Sequence, residues 1–171
     1  MKLHSKAILL VMAVGLSACT NAGRFGPGGA NGAGGGIDTG ALGTASDPTS
    51  VAYFQQSIGD RVLFSVDQHT LTPAARAVLE QQASWLLTNT DYSAVIEGHA
   101  DEQGTTAYNV GLSARRANSV IEYLVDRGIS SARLRSLPLG KARPIAICSE
   151  ESCYSQNRRA VTVLAAGGAI G

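Results

Sequence analysis

The folding part of this chain is predicted to be an α/β (α+β) two-layer sandwich, one mixed sheet covered by helices. Short β-prone runs alternate with two long stretches of helical periodicity. Turn and cap residues punctuate them, and the folding stretch is long enough for one core but too short for two.

The elements come in this order. Arg61–Val66 reads as a strand between Gly59-Asp60 and the polar run Asp67-Gln68-His69-Thr70. Thr72 before Pro73 marks a helix start, and Val78, Leu79, Ala83, Leu86 and Leu87 fall at helical spacing before an end near Asn89. Ser93–His99 is a second strand, followed by a polar loop from Ala100 to Thr105. A second helix is expected from Thr106 to Arg127, with Val110, Ala114, Ala117, Ile121 and Leu124 on one face and Gly128 as its stop. Arg133–Leu139 and Arg159–Leu164 supply two more strands, joined by a loop carrying Cys148 and Cys153. The expected order is β-α-β-α-β-β, and strands joined through helices imply crossover pairing in one sheet.

Composition separates this domain from the residues before it. The chain has 171 residues, 44% hydrophobic and only 16% charged, and half of its 20 glycines lie between Ala22 and Ser46. Such a stretch cannot bury enough apolar surface to offset the entropy of ordering. The chain therefore divides into a leader (1–18), a flexible tether (19–50), a folded domain (51–166) and a short tail (167–171). As a Gly-rich coil the spacer would span roughly 30 Å, with an extended limit of roughly 100 Å. From residue 51 onward there are eleven Lys/Arg and eleven Asp/Glu. A domain with no charge excess lacks the basic field of a nucleic-acid binder.

The leader carries Lys2 and Lys6 before an apolar run from Ala7 to Gly15, about half the length a membrane span needs. Leu16-Ser17-Ala18-Cys19 then resembles a bacterial lipobox, which implies cleavage before Cys19 and lipidation of its thiol. Several acyl chains on one residue anchor stably where one does not. Thr20, rather than an aspartate, follows the cysteine, which favours the outer membrane, with the domain facing the periplasm. Cys148 and Cys153 remain, and an oxidising periplasm would pair them, contributing about 2 kcal/mol for so short a loop.

Ligand sites in such a sheet gather beyond strand ends. Asp67 follows the first strand and Asp101 the second, while Asn109, Ser113 and Arg116 fall within about 60° of one another on the second helix, flanking its apolar stripe. Asp101 and Arg116 can face the same end of the domain, either to bind a ligand or simply to pair with each other. No nucleophile motif such as G-x-S-x-G is present, so no catalytic activity is expected. A metal site from His69, His99 and Asp101 is conceivable by spacing, but no metal or cofactor is expected.

Five blocks, Gly98-His99-Ala100-Asp101-Glu102-Gln103-Gly104-Thr105, Tyr108-Asn109, Leu112-Ser113-Ala114-Arg115-Arg116-Ala117, Gly140-Lys141-Ala142-Arg143-Pro144 and Asn157-Arg158-Arg159-Ala160-Val161, together resemble the OmpA-like peptidoglycan-binding domain family. The resemblance spans about residues 60 to 165, and the lipobox and linker match the layout of the family's Tol-Pal lipoproteins. It implies non-covalent binding of peptidoglycan through the diaminopimelate of its peptide stem, with Asp101, Arg116, Asn109 and Asp67 as site residues. It also implies TolB as a partner and a role in envelope integrity and cell division. The alternative is a wall-binding lipoprotein without Tol partners. A flagellar-stator anchor would share the domain but needs a true membrane span, which the short apolar run does not supply. Ser65, Val66 and Gln103 depart from the family pattern, as does Pro138-Leu139 ahead of Gly140-Lys141, so contacts there are expected to differ.

Free diaminopimelate presents an ammonium and a carboxylate on one carbon. One anion and one fork-shaped cation a few ångströms apart suit it, and Asp101 with Arg116 supplies that pair.

Overall fold

The structure, a computed structural model, describes residues 43–166. The leader, the lipidation site Cys19, most of the tether and the tail lie outside the described residues. Of the stretch read as tether, residues 44–50 form turns fastened to the domain. Trp85 Nε1 donates to the Pro48 carbonyl at 2.7 Å, and the Tyr92 hydroxyl donates to that of Thr49 at 3.2 Å.

The chain enters through α1 (Val51–Tyr53), capped by the Ser50 hydroxyl and continued by π-helical turns over Phe54–Gly59. Next come β1 (Arg61–Leu63), α2 (Pro73–Thr88), β2 (Tyr92–Gly98), α3 (Thr106–Asp126), β3 (Leu134–Pro138), α4 (Glu151–Asn157) and β4 (Arg159–Ala166). Thr72 caps α2 through its side-chain oxygen, as the Thr-Pro start predicts, and Thr105 caps α3 in the same way.

The four strands lie in the order β1-β4-β2-β3. β2 pairs with β3 in parallel, and β4 runs antiparallel between β1 and β2. Helices cover one face: Ala94 and Ile96 of β2 are fully buried against it, as are Leu79, Val120 and Leu124. The other face keeps Val95 and Glu97 half-buried and leaves Leu63, Leu137 and Val163 exposed, so the sandwich has two layers.

The structure corrects four sequence expectations. The cysteine-bearing connection contains a helix, α4, giving β-α-β-α-β-α-β. Its seven residues, five of them polar, carry no apolar period from which a helix could be read. β1 stops at Leu63, because beyond Phe64 the chain turns away and Asp67 adopts φ 56°. The buried face of α3 is also rotated from the expected stripe: Asn109, Leu112, Ser113, Arg116, Ala117, Val120 and Leu124 are buried, whereas Val110 is exposed. Asn109, Ser113 and Arg116 thus lie within the inner face, not beside it. On α2, Leu87 likewise points outward while Trp85 is buried.

Candidate functional site

Because β4 runs against β1, β2 and β3, its start lies beside their ends. The loops leaving β1, β2 and β3, the first turns of α3 and the residues just before β4 therefore meet at one end of the sheet. There a pocket of about 220 Å³ is lined by Val66, Asp67, Asp101, Gln103, Tyr108 and Arg116, among others.

Arg116 is the floor. It is fully buried, and three of its five N–H donors are taken by backbone carbonyls: Nε to Gln68 at 2.8 Å, Nη1 to His99 at 2.8 Å and Nη2 to Ser65 at 3.2 Å. Its guanidinium lies 5.3 Å from the Phe64 ring centroid. These partners are neutral, so the charge is fixed in place without being cancelled. Burial lowers its pKa to about 10, with the Asp101 charge acting the other way, and the group is cationic at neutral pH.

Asp101 does not pair with Arg116. Its Oδ2 lies 3.2 Å from Arg158 Nη1, and its Oδ1 accepts the Gln103 backbone N–H at 3.1 Å. A carboxylate offers about four lone-pair positions, so both oxygens retain acceptor capacity. The simple structural ion pair that spacing left open is not formed. Asn109, almost fully buried, donates its Nδ2 to the carbonyls of Asp101 and Gln103 at 3.2 and 2.7 Å. It shapes the loop that carries the acid. Asp67 accepts a short hydrogen bond from the Tyr108 hydroxyl across the pocket mouth, and this bond raises the phenol's pKa.

Two further ties hold the end together. Gly140, at φ 56°, accepts the Ala100 N–H at 2.7 Å and donates its own N–H to Ser113 Oγ at 2.9 Å. Lys141 Nζ reaches the Gly104 carbonyl at 3.3 Å. The departures at Ser65 and Gln103 matter little to the frame, because both positions contribute backbone groups; Val66 is exposed at the pocket wall.

All four site residues named from sequence line this pocket. Sequence reasoning missed Tyr108 and Arg158, although both lie in the family-like blocks. The signal for Arg158 is its place just ahead of an antiparallel strand, since residues there share one end of the sheet with the loops that leave the parallel strands. His69 lies apart from the pocket, and among the described residues no group of three or more His, Cys, Asp or Glu could hold a metal ion. Cys148 and Cys153 are joined by a disulfide. Among the described residues no helix is long and apolar enough to cross a membrane.

A mixed four-stranded sheet with helices on one face and this loop-end pocket defines an OmpA-like domain, and the chain belongs to the OmpA family, whose profile matches residues 63–158. Within that family its relatives are peptidoglycan-associated lipoproteins, a non-enzymatic group. The one from Rhizobium meliloti is 43% identical, over 94% of this chain and 88% of its own. That of Pseudomonas aeruginosa is 36% identical, over 90% and 91%. The crystal structure of the peptidoglycan-associated lipoprotein from Burkholderia pseudomallei superposes with a TM-score of 0.63 at 31% identity, covering 71% of this chain and 98% of that one.

Proposed function

We propose that this chain is a peptidoglycan-binding lipoprotein that grips the wall non-covalently through the free end of meso-diaminopimelate. The observation that carries this reading is a buried guanidinium with no carboxylate against it among the described residues, in the same small pocket as a carboxylate with spare acceptor capacity. The ligand's carboxylate would take the remaining N–H groups of Arg116, and its ammonium would take Asp101. Lysine-type stems lack that carboxylate and would leave Arg116 unanswered, so they should bind more weakly.

Lipidated at Cys19, the protein would hold the outer membrane to the wall, with the residues between anchor and domain as tether. TolB is the proposed partner, in a Tol-Pal system serving envelope integrity and cell division. The name shared by its relatives, peptidoglycan-associated lipoprotein, supports the wall contact, and the lipobox supports the anchor.

Calorimetric titration with a diaminopimelate muropeptide and its lysine counterpart tests the wall reading. Asp101→Ala and Arg116→Ala should each abolish measurable binding of the first, and undiminished binding in both would sink the assignment. Intact mass of protein taken from membranes tests the anchor, and capture of purified TolB tests the partner.

A further inference from the structure

The pocket's acidic residue is held from outside its own loop. Arg158, which is almost fully buried, touches Asp101 Oδ2 through Nη1 at 3.2 Å, and the same Nη1 reaches Glu151 Oε2 at 3.3 Å. Arg158 Nη2 donates a short bond to Glu151 Oε1, while Nε donates to the Phe64 carbonyl at 3.2 Å. Arg158 is therefore shared between a carboxylate in the pocket and one outside it. Glu151 sits inside the turn closed by the Cys148–Cys153 disulfide, whose Cα atoms are 5.7 Å apart. The same turn meets the pocket loop a second time, where Ser149 Oγ donates to Glu102 Oε1 at 3.1 Å.

We propose that the disulfide-closed turn 148–153 is a positioning device for the binding site: it fixes Glu151, which draws off part of the charge of Arg158 and leaves Asp101 free to receive a ligand ammonium. This rests on the peptidoglycan reading above for the identity of the ligand. If Glu151 were released, Arg158 would have one carboxylate left. Asp101 and Arg158 would then form a closed pair, and an arriving ammonium would meet a neutralised acid instead of an anion. The Glu151 side chain is 64% exposed, and an exposed ion pair ordinarily gains little because two long side chains must be ordered to make it. Closing the turn covalently reduces that ordering cost, because the backbone carrying Glu151 has fewer alternatives.

The test uses the full chain in detergent, as wild type, Glu151→Gln, Cys148→Ser/Cys153→Ser, and wild type reduced with dithiothreitol, which needs no substitution. The probes are a diaminopimelate muropeptide and the same muropeptide with the side-chain amine acetylated. The Arg158 Nε–H resonance is followed without ligand in a 1H–15N spectrum. Each altered form should bind the zwitterionic muropeptide about tenfold more weakly, a loss of one charge-assisted contact. Binding of the acetylated muropeptide, already weak, should stay as in wild type, because only the ammonium contact is affected. The Arg158 resonance should shift in all three forms.

Equal loss for both muropeptides would mean general loosening of the domain and overturns the proposal. So would an unmoved Arg158 resonance, or unchanged affinity in Glu151→Gln. If wild type binds neither muropeptide, the peptidoglycan reading fails by itself. The ligand-free spectrum then decides whether the turn positions Arg158: a shift supports the clamp and an unmoved resonance overturns it.

Discussion

A Cβ placed on Gly98 would stand 1.9 Å from the carbonyl oxygen of Ser113 and 2.7 Å from its carbon. The end of β2 and the middle of α3 thus touch backbone to backbone, and the contact lies three residues before Asp101 and three before Arg116. It sets the distance between the elements that carry the two charges.

Gly98→Ala should therefore cost more than an ordinary added methyl. The obstacle is a helix backbone, so α3 must move off the sheet, and overpacking of this kind costs about 3 kcal/mol or more. Urea unfolding should show the loss. Muropeptide affinity should fall as well, because α3 carries Arg116. A midpoint within experimental error of wild type would refute the close approach.

Arg116→Lys keeps the charge and loses the fork. One ammonium cannot serve the Gln68, His99 and Ser65 carbonyls together. Leaving buried acceptors unanswered should lower stability by about 2–4 kcal/mol, and diaminopimelate binding should weaken at least about tenfold. Denaturant midpoints and titration check the two parts separately. A variant that binds as tightly as wild type would show that the guanidinium geometry is not what recognises the carboxylate.

His99 gives the domain a pH-dependent stability. It is buried, and among the described residues neither ring nitrogen has a partner within good hydrogen-bond geometry, although Nε2 lies 3.6 Å from Glu97 Oε2. Burial first, and then the nearby Arg159 charge, lower its pKa below the ordinary histidine value, with the Ala142 backbone and Glu97 opposing them. The unfolded chain therefore takes up this proton before the folded one does. Stability should be full above about pH 7 and fall as pH drops through about 6.5 towards the folded pKa. His99→Asn should flatten the slope between pH 7 and 5 in a series of urea midpoints; an unchanged slope would mean another group is responsible.

Much of this fold can be read from letters, and the failures share a cause. Thr72-Pro73 marks the start of α2 and Gly128 the end of α3 because caps are local chemistry. The rotation of the α3 stripe was not legible from apolar periodicity, because the first half of its inner face packs against loops and carries Asn109, Ser113 and Arg116. The second half, with Val120 and Leu124, joins the apolar core, while the first half meets the sheet at the end of β2, where Ser113 lies against Gly98. Asp101 and Arg116 were recognisable as a pair of opposite charges sharing one end. Their separate partners were not, since Arg158 reaches the pocket from 57 residues away through the antiparallel course of β4. α4 was hidden because a short, mostly polar helix that begins inside the 148–153 turn looks like a loop.

Gln103 separates what the backbone contributes to the pocket from what the side chain contributes. Its N–H donates to Asp101 Oδ1 at 3.1 Å and its carbonyl accepts from Asn109 Nδ2 at 2.7 Å, while the residue as a whole is exposed. Gln103→Ala preserves both contacts and should leave muropeptide affinity within about twofold of wild type, well under the roughly tenfold change that losing one charged contact brings. Gln103→Pro removes the N–H, frees one oxygen of Asp101 and disfavours helical geometry at Glu102. A hydrogen bond to a charged group contributes about 1.5–3 kcal/mol, so affinity should fall by about tenfold or more. Titration of the two variants side by side checks this. Equal loss in both would place recognition in the glutamine side chain, and no loss in either would remove the Gln103 N–H from the set of groups that orient Asp101.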